Sequence, residues 1–367
     1  MYTICILYKN SRIKCLFDAG RRGVFLEGDA IKTECVRSLG MNVLLLGATG
    51  LLGHNVLRRL IAEGHDVVVL VRDKRSLHME EDECVVVECD DICDHRILYV
   101  AALGCQAVVN CAGVTDMSLL DVEDYMKINL DLLHYIVDVM AALKIKRLVH
   151  VSTVDTIGYG TAEHPADESE VIKPPFDESP YAFSKEMGEF EVYELQEKHP
   201  EMTLVTVNPG FMLGPYDVKP SSGRLLLAAY RKPVTFAPKG GKAFVHVDDV
   251  AGAVVSALIS GVGGKRYIAV NSHACLSIKE LYKMQARVCG YRQWVLTAPS
   301  WLLLAAGYVG DLLRKAGVRT QVSSNNIRQL LVREYYDNSL AKKELGLKET
   351  PIEDAIREFH EWRKNRK

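Results

Sequence analysis

The segment that most constrains this chain is residues 43–63, where an apolar run of four (43–46) leads directly into GATGLLG (47–53) and then into helical spacing from 54 to 63. Glycines spaced by three and three therefore sit where a strand ends and a helix begins. Glycine permits a turn with positive φ and lets the backbone approach a ligand closely. The free N–H groups and positive dipole end of the following helix stabilise phosphate charge. Glycines serve turns generally, so the strand–helix setting is what makes the motif informative. It marks Gly47, Thr49, Gly50, Leu51, Leu52 and Gly53 as contacts for the pyrophosphate of a dinucleotide.

Beyond this point the chain alternates two kinds of segment. Short apolar or β-branched runs fall at 67–71, 107–110, 147–152 and 204–208, with a helical stretch at 131–143 between two of them. Such runs between helices indicate strands covered on both faces of a parallel sheet. The fold class expected is α/β, a doubly wound parallel sheet (Rossmann fold) with a smaller mixed α/β C-terminal lobe for substrate. Residues 41–210 and 232–264 are expected to form the nucleotide-binding domain, with 234–259 returning to the main sheet. Residues 211–231 and 265–367 form the substrate-binding lobe. Residues 1–40 lack sustained periodicity and precede Met41, which opens the nucleotide-binding pattern. They are expected to be a poorly ordered extension or a mis-assigned start, dispensable for activity; the alternative is a genuine extra hairpin.

Composition excludes several classes. Charged residues make up 25% and the formal net charge is −2, so no general field favours nucleic acid or an anionic membrane. The ten cysteines contain no CxxC pair, and Cys89 and Cys93 have no matching second pair, so no metal site is expected. Scattered thiols fit a reducing, cytoplasmic compartment. No run of 18 apolar residues exists. The richest stretch, 301–309, is expected in a core or lining a pocket, with weak membrane contact left open but no firm membrane association.

The second strand ends in LVRD (70–73), about twenty residues past the glycines. An acidic side chain there would accept from the ribose hydroxyls of NAD, whereas arginine accommodates the 2′-phosphate of NADP. Arg72 holds the position, with Lys74 and Arg75 behind it, and guanidinium pairs bidentately with phosphate. NADP is therefore expected over NAD, while Asp73 keeps NAD open.

A third feature is PYAFSK (180–185), which opens a helix after a proline. Tyr181 and Lys185, four apart, share a helical face. Such a tyrosine can exchange a proton with an alcohol or carbonyl oxygen. Its ordinary pKa, about 10, is too high for a base at neutral pH. A nearby ammonium and a positive nicotinamide ring are expected to lower it. Thr153 ends the strand upstream and is placed to hold the substrate carbonyl. Asn129, farther upstream, is a plausible anchor for a water serving Lys185.

With these residues in view, the chain resembles the extended short-chain dehydrogenases/reductases, particularly the dihydroflavonol reductase-like and 3β-hydroxysteroid dehydrogenase-like branch. The resemblance runs from about Met41 almost to the C-terminus. It rests on GATGLLG, VRD (71–73), DDI (90–92), NCAG (110–113), Asn129, VST (151–153), YAFSK (181–185), NPG (208–210) and FVHVDDVA (244–251). It implies that Asp91 and Ile92 flank the adenine, that Ala112 and Gly113 lie along the cofactor, and that Pro209 and Gly210 pass near the nicotinamide amide. It further implies chemistry by Thr153, Tyr181 and Lys185, with Asn129 supporting the proton relay and Lys185 also binding the nicotinamide ribose. His246–Asp249 is similar to the family's structural return segment and is given no catalytic role. Thr153, where many members have serine, keeps the hydroxyl; Asn110, Cys111 and Asp90 also depart from commoner residues.

The expected activity is NADP-dependent reduction of a ketone or aldehyde, or oxidation of the alcohol, on a small apolar substrate. Phe211, Met212, Tyr216 and the region of Trp301 are expected to set specificity. A nucleotide-sugar epimerase or dehydratase using NAD is the alternative, and a non-catalytic NADP-sensing protein a more remote one. Monomer and homodimer both remain open.

Overall fold

A strand whose two faces are both covered has no polar face to show, and segments such as NVLLL, DVVVLV and AVVN read that way. In the computed structural model, which describes residues 2–8, 11–17, 40–77, 83–119, 121–218 and 220–366, these segments are central strands. Seven parallel strands form the main sheet: β3 (Asn42–Leu46), β4 (Asp66–Val71), β5 (Val85–Glu88), β6 (Ala107–Asn110), β7 (Arg147–Val151), β8 (Thr203–Pro209) and β12 (Arg266–Ala269). Their order is β12-β8-β7-β6-β3-β4-β5. The chain winds outward from β3 to β5 and then returns to lay β6 on the other side of β3. That reversal opens a crevice beyond the C-terminal ends of β3 and β6, where ligands of open α/β sheets bind. The doubly wound fold is thus present as expected.

Alternate side chains of β3 feed two cores. Val43 and Leu45 pack with α1 (Leu51–Ala62), α7 (Val247–Ser260) and α11 (Ser339–Leu345). Leu44 and Leu46 pack with α2 (His95–Ala102), α4 (Leu132–Leu143) and α5 (Pro180–Lys198). A short helix α3 (Glu123–Met126) runs into α4 through a π turn, Lys127–Asp131.

The C-terminal lobe has its own core of Leu213, Leu226, Phe244, Leu281, Ile356 and Phe359. These residues come from β9 (Phe211–Leu213), α6 (Gly223–Ala229), β11 (Gly241–His246), α8 (Ile278–Val288) and α12 (Ile352–Asn365). Strands β9 and β11 join β13 (Cys275–Ser277) in one small sheet, and β10 (Val234–Ala237) pairs in parallel with β14 (Trp294–Thr297) in another. Helices α9 (Ser300–Lys315) and α10 (Ser324–Leu331) pack together beside them.

Two expectations need correction. Residues 234–259 return only a helix, α7, to the main sheet; β10 and β11 belong to the lobe. The seventh central strand is Arg266–Ala269, which was assigned to the lobe. Burial explains it: β10 alternates exposed and buried residues as a one-faced strand does, whereas Tyr267, Ile268 and Ala269 are all fully buried. Second, residues 301–309 do not form core, because α9 turns most of its apolar side chains to solvent. Before Met41, Tyr2–Tyr8 (β1) and Ser11–Phe17 (β2) pair antiparallel, and residues 18–39 lie outside the described residues. No described helix is long and apolar enough to cross a membrane.

Candidate active site

The three glycines of the loop do three different things. Gly47 has φ +82°, and a Cβ there would stand 2.6 Å from the Ala112 nitrogen, so the ends of β3 and β6 close on each other only over glycine. A Cβ at Gly53 would lie 2.1 Å from the Gly47 carbonyl oxygen, so the first turn of α1 rests directly on the loop. At Gly50 the nearest atom would be the Gly47 oxygen at 3.4 Å, leaving its outer side open. Gly50 caps α1 with no side-chain hydrogen bond, and Thr49 and Gly50 are exposed. The first amides of α1, from Leu51, Leu52 and Gly53, have no intrahelical acceptor by position. An open backbone cradle with a helix dipole behind it fits a pyrophosphate.

At the end of β4, Arg72 is exposed. Asp73 is turned onto its own chain: its carboxylate accepts from Arg75 Nε at 2.9 Å, from Arg75 Nη2 at 2.8 Å and from the Arg75 amide at 3.0 Å. Arg75 holds that carboxyl below the usual carboxylate range. The backbone amide of Lys74 donates to Glu88 Oε1 at 2.9 Å. After β5, Asp91 accepts from Lys127 Nζ at 2.7 Å and from the Cys93 amide at 3.0 Å, and Ile92 packs on the α2/α4 core.

The loop after β6 connects this crevice to the helix carrying Tyr181. Asn110 Oδ1 accepts from the Ala112 amide at 3.1 Å. A Cβ on Gly113 would come within 3.2 Å of Lys185 Nζ and 3.3 Å of Asn129 Oδ1. Asn129 is buried in the π turn, where Oδ1 accepts from the Val114 amide at 2.9 Å and Nδ2 donates to Ser184 Oγ at 2.9 Å. Its side chain therefore braces both the Gly113 loop and α5.

Helix α5 starts at Pro180 behind the Ser179 cap, and places Tyr181 and Lys185 one turn apart. Lys185 is buried, 4% exposed, and donates to the Val151 carbonyl at 2.9 Å. Burial lowers its pKa to about 8, against the pull of Glu189 and Cys111. Tyr181 lies beside Thr153, which is buried and whose Oγ1 accepts from the Asp155 amide at 3.2 Å. The protein's own groups push the Tyr181 phenol up, not down. Burial dominates, the Asp155 carboxylate adds to it, and only the neighbouring Thr153 hydroxyl opposes. The expectation that the neighbouring ammonium would lower it is thus not met by the protein alone, because Lys185 is turned to Val151.

Pro209 ends β8 and Gly210 follows; a Cβ on Gly210 would be 2.4 Å from the Ala243 oxygen, so β8 leaves the sheet hard against β11. His246 caps α7 by accepting from the Asp248 amide at 3.1 Å, and Asp249 accepts from Thr350 Oγ1 at 2.7 Å. Both serve structure, as the sequence indicated. Of the residues expected to set specificity, Tyr216 packs at a tilt against both His54 and Trp362, and Trp301 faces solvent.

Two features went unread in the sequence. Glu189 accepts from Thr156 Oγ1 at 2.5 Å and Asn208 Nδ2 at 2.6 Å and pairs with Arg266 at 3.1 Å. It continues the i, i+4 series from Tyr181 and Lys185, and that spacing was available to read. The other is a buried ion pair of Lys242 with Glu334, which faces Asp155. Its partners are 92 residues apart, and no local pattern announces it. A cleft of about 690 Å³ is lined by Ala162, Pro165, Tyr335, Tyr336 and Lys342, and Tyr336 links it to Val154 and the Glu334 pair. The convergence of side chains locates the chemistry better than cleft size does. Among the described residues, no group of three or more His, Cys, Asp or Glu is placed to hold a metal.

An open glycine cradle at a switch point, beside a Thr–Tyr–Lys cluster, defines a dinucleotide-binding enzyme. Residues 43–271 match the NAD dependent epimerase/dehydratase family, and the chain belongs to it; it is an NAD(P)-dependent oxidoreductase. It is 27% identical over 328 residues to a protein of Synechocystis sp. provisionally named a dihydroflavonol 4-reductase, covering 87% of this chain and 93% of that one. It is 26% identical over 314 residues to the 4-hydroxy-2-methyl-3-oxo-4-farnesyl-3,4-dihydroquinoline-1-oxide ketoreductase of Stigmatella aurantiaca, covering 83% and 91%. Among solved structures it is similar to gox2253, with TM-score 0.73, 26% identity and coverage of 89% and 99%.

Proposed function

We propose that this protein is an NADP-dependent reductase of a ketone or aldehyde on a small apolar substrate, reversible to oxidation of the alcohol. The observation that carries the reading is the convergence of Thr153, Tyr181 and Lys185 beside the Gly113 loop. The cradle of residues 47–53 receives the pyrophosphate, with Asp91 and Ile92 beside the adenine, Ala112 and Gly113 along the cofactor, and Pro209 and Gly210 near its amide. Arg72 pairs with the 2′-phosphate, seconded by Lys74. Asp73, both of whose oxygens accept from Arg75, is poorly free to accept from ribose hydroxyls, which supports NADP over NAD.

When bound, the cofactor supplies hydride to the carbonyl carbon. Thr153 donates a hydrogen bond to the carbonyl oxygen, holding it in place. Tyr181 gives that oxygen its phenolic proton, and the Lys185 ammonium stabilises the phenolate left behind once it turns from the Val151 carbonyl toward Tyr181. Asn129 keeps Lys185 and Gly113 in register by bracing Ser184 and Val114. The relatives named a reductase and a ketoreductase support a carbonyl substrate, and the farnesyl group in the second name supports an apolar one. The seven described cysteines are free, which supports a reducing compartment such as the cytoplasm.

Tyr181→Phe removes the proton without removing the ring. Turnover of a carbonyl substrate is expected to fall by at least ~10³-fold while NADPH affinity changes little. Residual turnover within about tenfold of wild type would remove Tyr181 from the chemistry.

A further inference from the structure

A helix on a water-soluble protein normally turns its apolar stripe inward and its polar face out. Helix α9 does the reverse. Its inner side carries Gly307 and Gly310, and a Cβ at Gly310 would lie 2.0 Å from the Val322 carbonyl oxygen. Asp311 and Arg314 also point inward. Asp311 accepts from the Ser324 amide at 3.1 Å, and Arg314 donates to the Thr320 carbonyl at 2.8 Å and to the Met117 carbonyl at 2.5 Å. Close backbone packing and these bonds fix the helix rotation, so the apolar residues cannot turn in. Trp301 is 71% exposed and Leu312 69%, and Leu302, Tyr308, Val309 and Leu313 are exposed with them. At 100° per residue they form one continuous stripe, filled in by exposed Ala305, Ala306 and Ala316.

The stripe has a neighbour. β14 feeds α9 through Ala298 and Pro299, and β10 and β14 pair Val234 with Trp294 and Phe236 with Leu296. All four side chains are exposed, Trp294 to 75%. Cations flank these apolar residues along the chain. Arg231, Lys232, Lys239, Arg292, Lys315 and Arg319 are all exposed, and Asp311, already bonded inward, is the only acidic residue in 230–239 and 290–322. The whole chain, at −2, hides this local imbalance. No described residue covers the apolar stripe of α9.

From this combination we propose that α9 and the β10/β14 face form a docking surface for an anionic lipid bilayer, with the apolar stripe entering the interface and the flanking lysines and arginines meeting lipid phosphates. Tryptophan and leucine on one face with lysine and arginine at its margins is the chemistry of an interfacial helix. Protein–protein interfaces, in contrast, are depleted in lysine. The surface is also tied to the active-site loop. Gln321 Nε2 donates to Asp116 Oδ1 at 3.4 Å, and Asn326 Nδ2 to the Met117 carbonyl at 3.3 Å. These residues directly follow the Val114 that Asn129 braces, so docking would set the rim of the site against the membrane. The expectation of no firm membrane association rested on net charge, which averages over the surface.

The test is flotation of the full chain with vesicles of phosphatidylcholine alone and with roughly 30% phosphatidylserine. Wild type is expected to float with the anionic vesicles at least ~10-fold better than with the neutral ones, and to be released by high salt. Trp301→Glu with Leu312→Glu, and separately Lys315→Glu with Arg319→Glu, are each expected to cut flotation at least ~10-fold. NADPH binding and melting temperature should stay unchanged, since these side chains face solvent. Wild type that ignores anionic vesicles, or binding indifferent to both variants, would overturn the proposal. So would light scattering that shows a dimer abolished by Trp301→Glu with Leu312→Glu in a protein that does not float, since a second copy would then own the surface.

Discussion

Lys185 shows what the site demands of a single residue. Its ammonium is buried with Val151 as its carbonyl acceptor, and burial brings its pKa down to about 8. Relative to an unperturbed lysine, this favours the unfolded chain by roughly 3 kcal/mol at neutral pH. The sign follows from proton counting. The folded pKa lies below the unfolded one, so between about pH 8 and 10.5 the unfolded chain holds a proton that the folded one has released, and this residue's contribution to stability rises with pH there. Below that window the whole penalty stands. Lys185→Met is therefore expected to stabilise the fold by about 1–3 kcal/mol in urea unfolding at pH 7 while abolishing turnover. A less stable variant would show that Val151 needs its donor more than the fold gains from losing a buried charge.

At the scale of elements, the glycine loop divides fold from function. Gly53→Ala drives a Cβ into the Gly47 carbonyl, and is expected to cost about 1–3 kcal/mol of stability as well as weakening NADPH binding. Gly50→Ala meets that oxygen only at 3.4 Å and places its methyl on the open side. It is expected to leave the melting temperature nearly unchanged yet weaken NADPH by at least ~10-fold, read by calorimetry alongside thermal unfolding. Equal effects of the two substitutions on stability would remove that division of labour.

Elements that were legible in the sequence share a physical cause. β3, β4, β6, β7 and β8 are buried on both faces, so each reads as a short apolar or β-branched run, broken by His150 in β7 and Thr206 in β8, and the YxxxK spacing on α5 needs only helical geometry. The return strand β12 carries little signal because Arg266 opens a run of only four, and β10 is a one-faced strand whose four residues are too few for their alternation to place it. The π turn holding Asn129 has no compositional mark, since it depends on packing against Gly188, where a Cβ would stand 2.6 Å from the Asn129 oxygen. Residues 301–309 were read from hydrophobicity alone. Only the inward turn of Gly307, Gly310 and Asp311 shows that the apolar side faces out.

Over the whole molecule, the body and lobe are joined by buried polar ties that no local pattern displays. Thr350 Oγ1 donates to Asp249 of α7, and Asn338 Nδ2 donates to the Val270 carbonyl at 2.7 Å, while Lys242 of β11 pairs with Glu334 inside the lobe. These ties hold the C-terminal elements against the main sheet. The most direct measurement is binding of NADPH and NADH by calorimetry, to wild type and to Arg72→Glu. Wild type is expected to bind NADPH at least ~10-fold more tightly than NADH, and Arg72→Glu to lose about 10- to 100-fold in NADPH affinity with little change for NADH. Preference for NADH in wild type, or equal losses for both cofactors in the variant, would contradict the account and favour the epimerase chemistry of the same family.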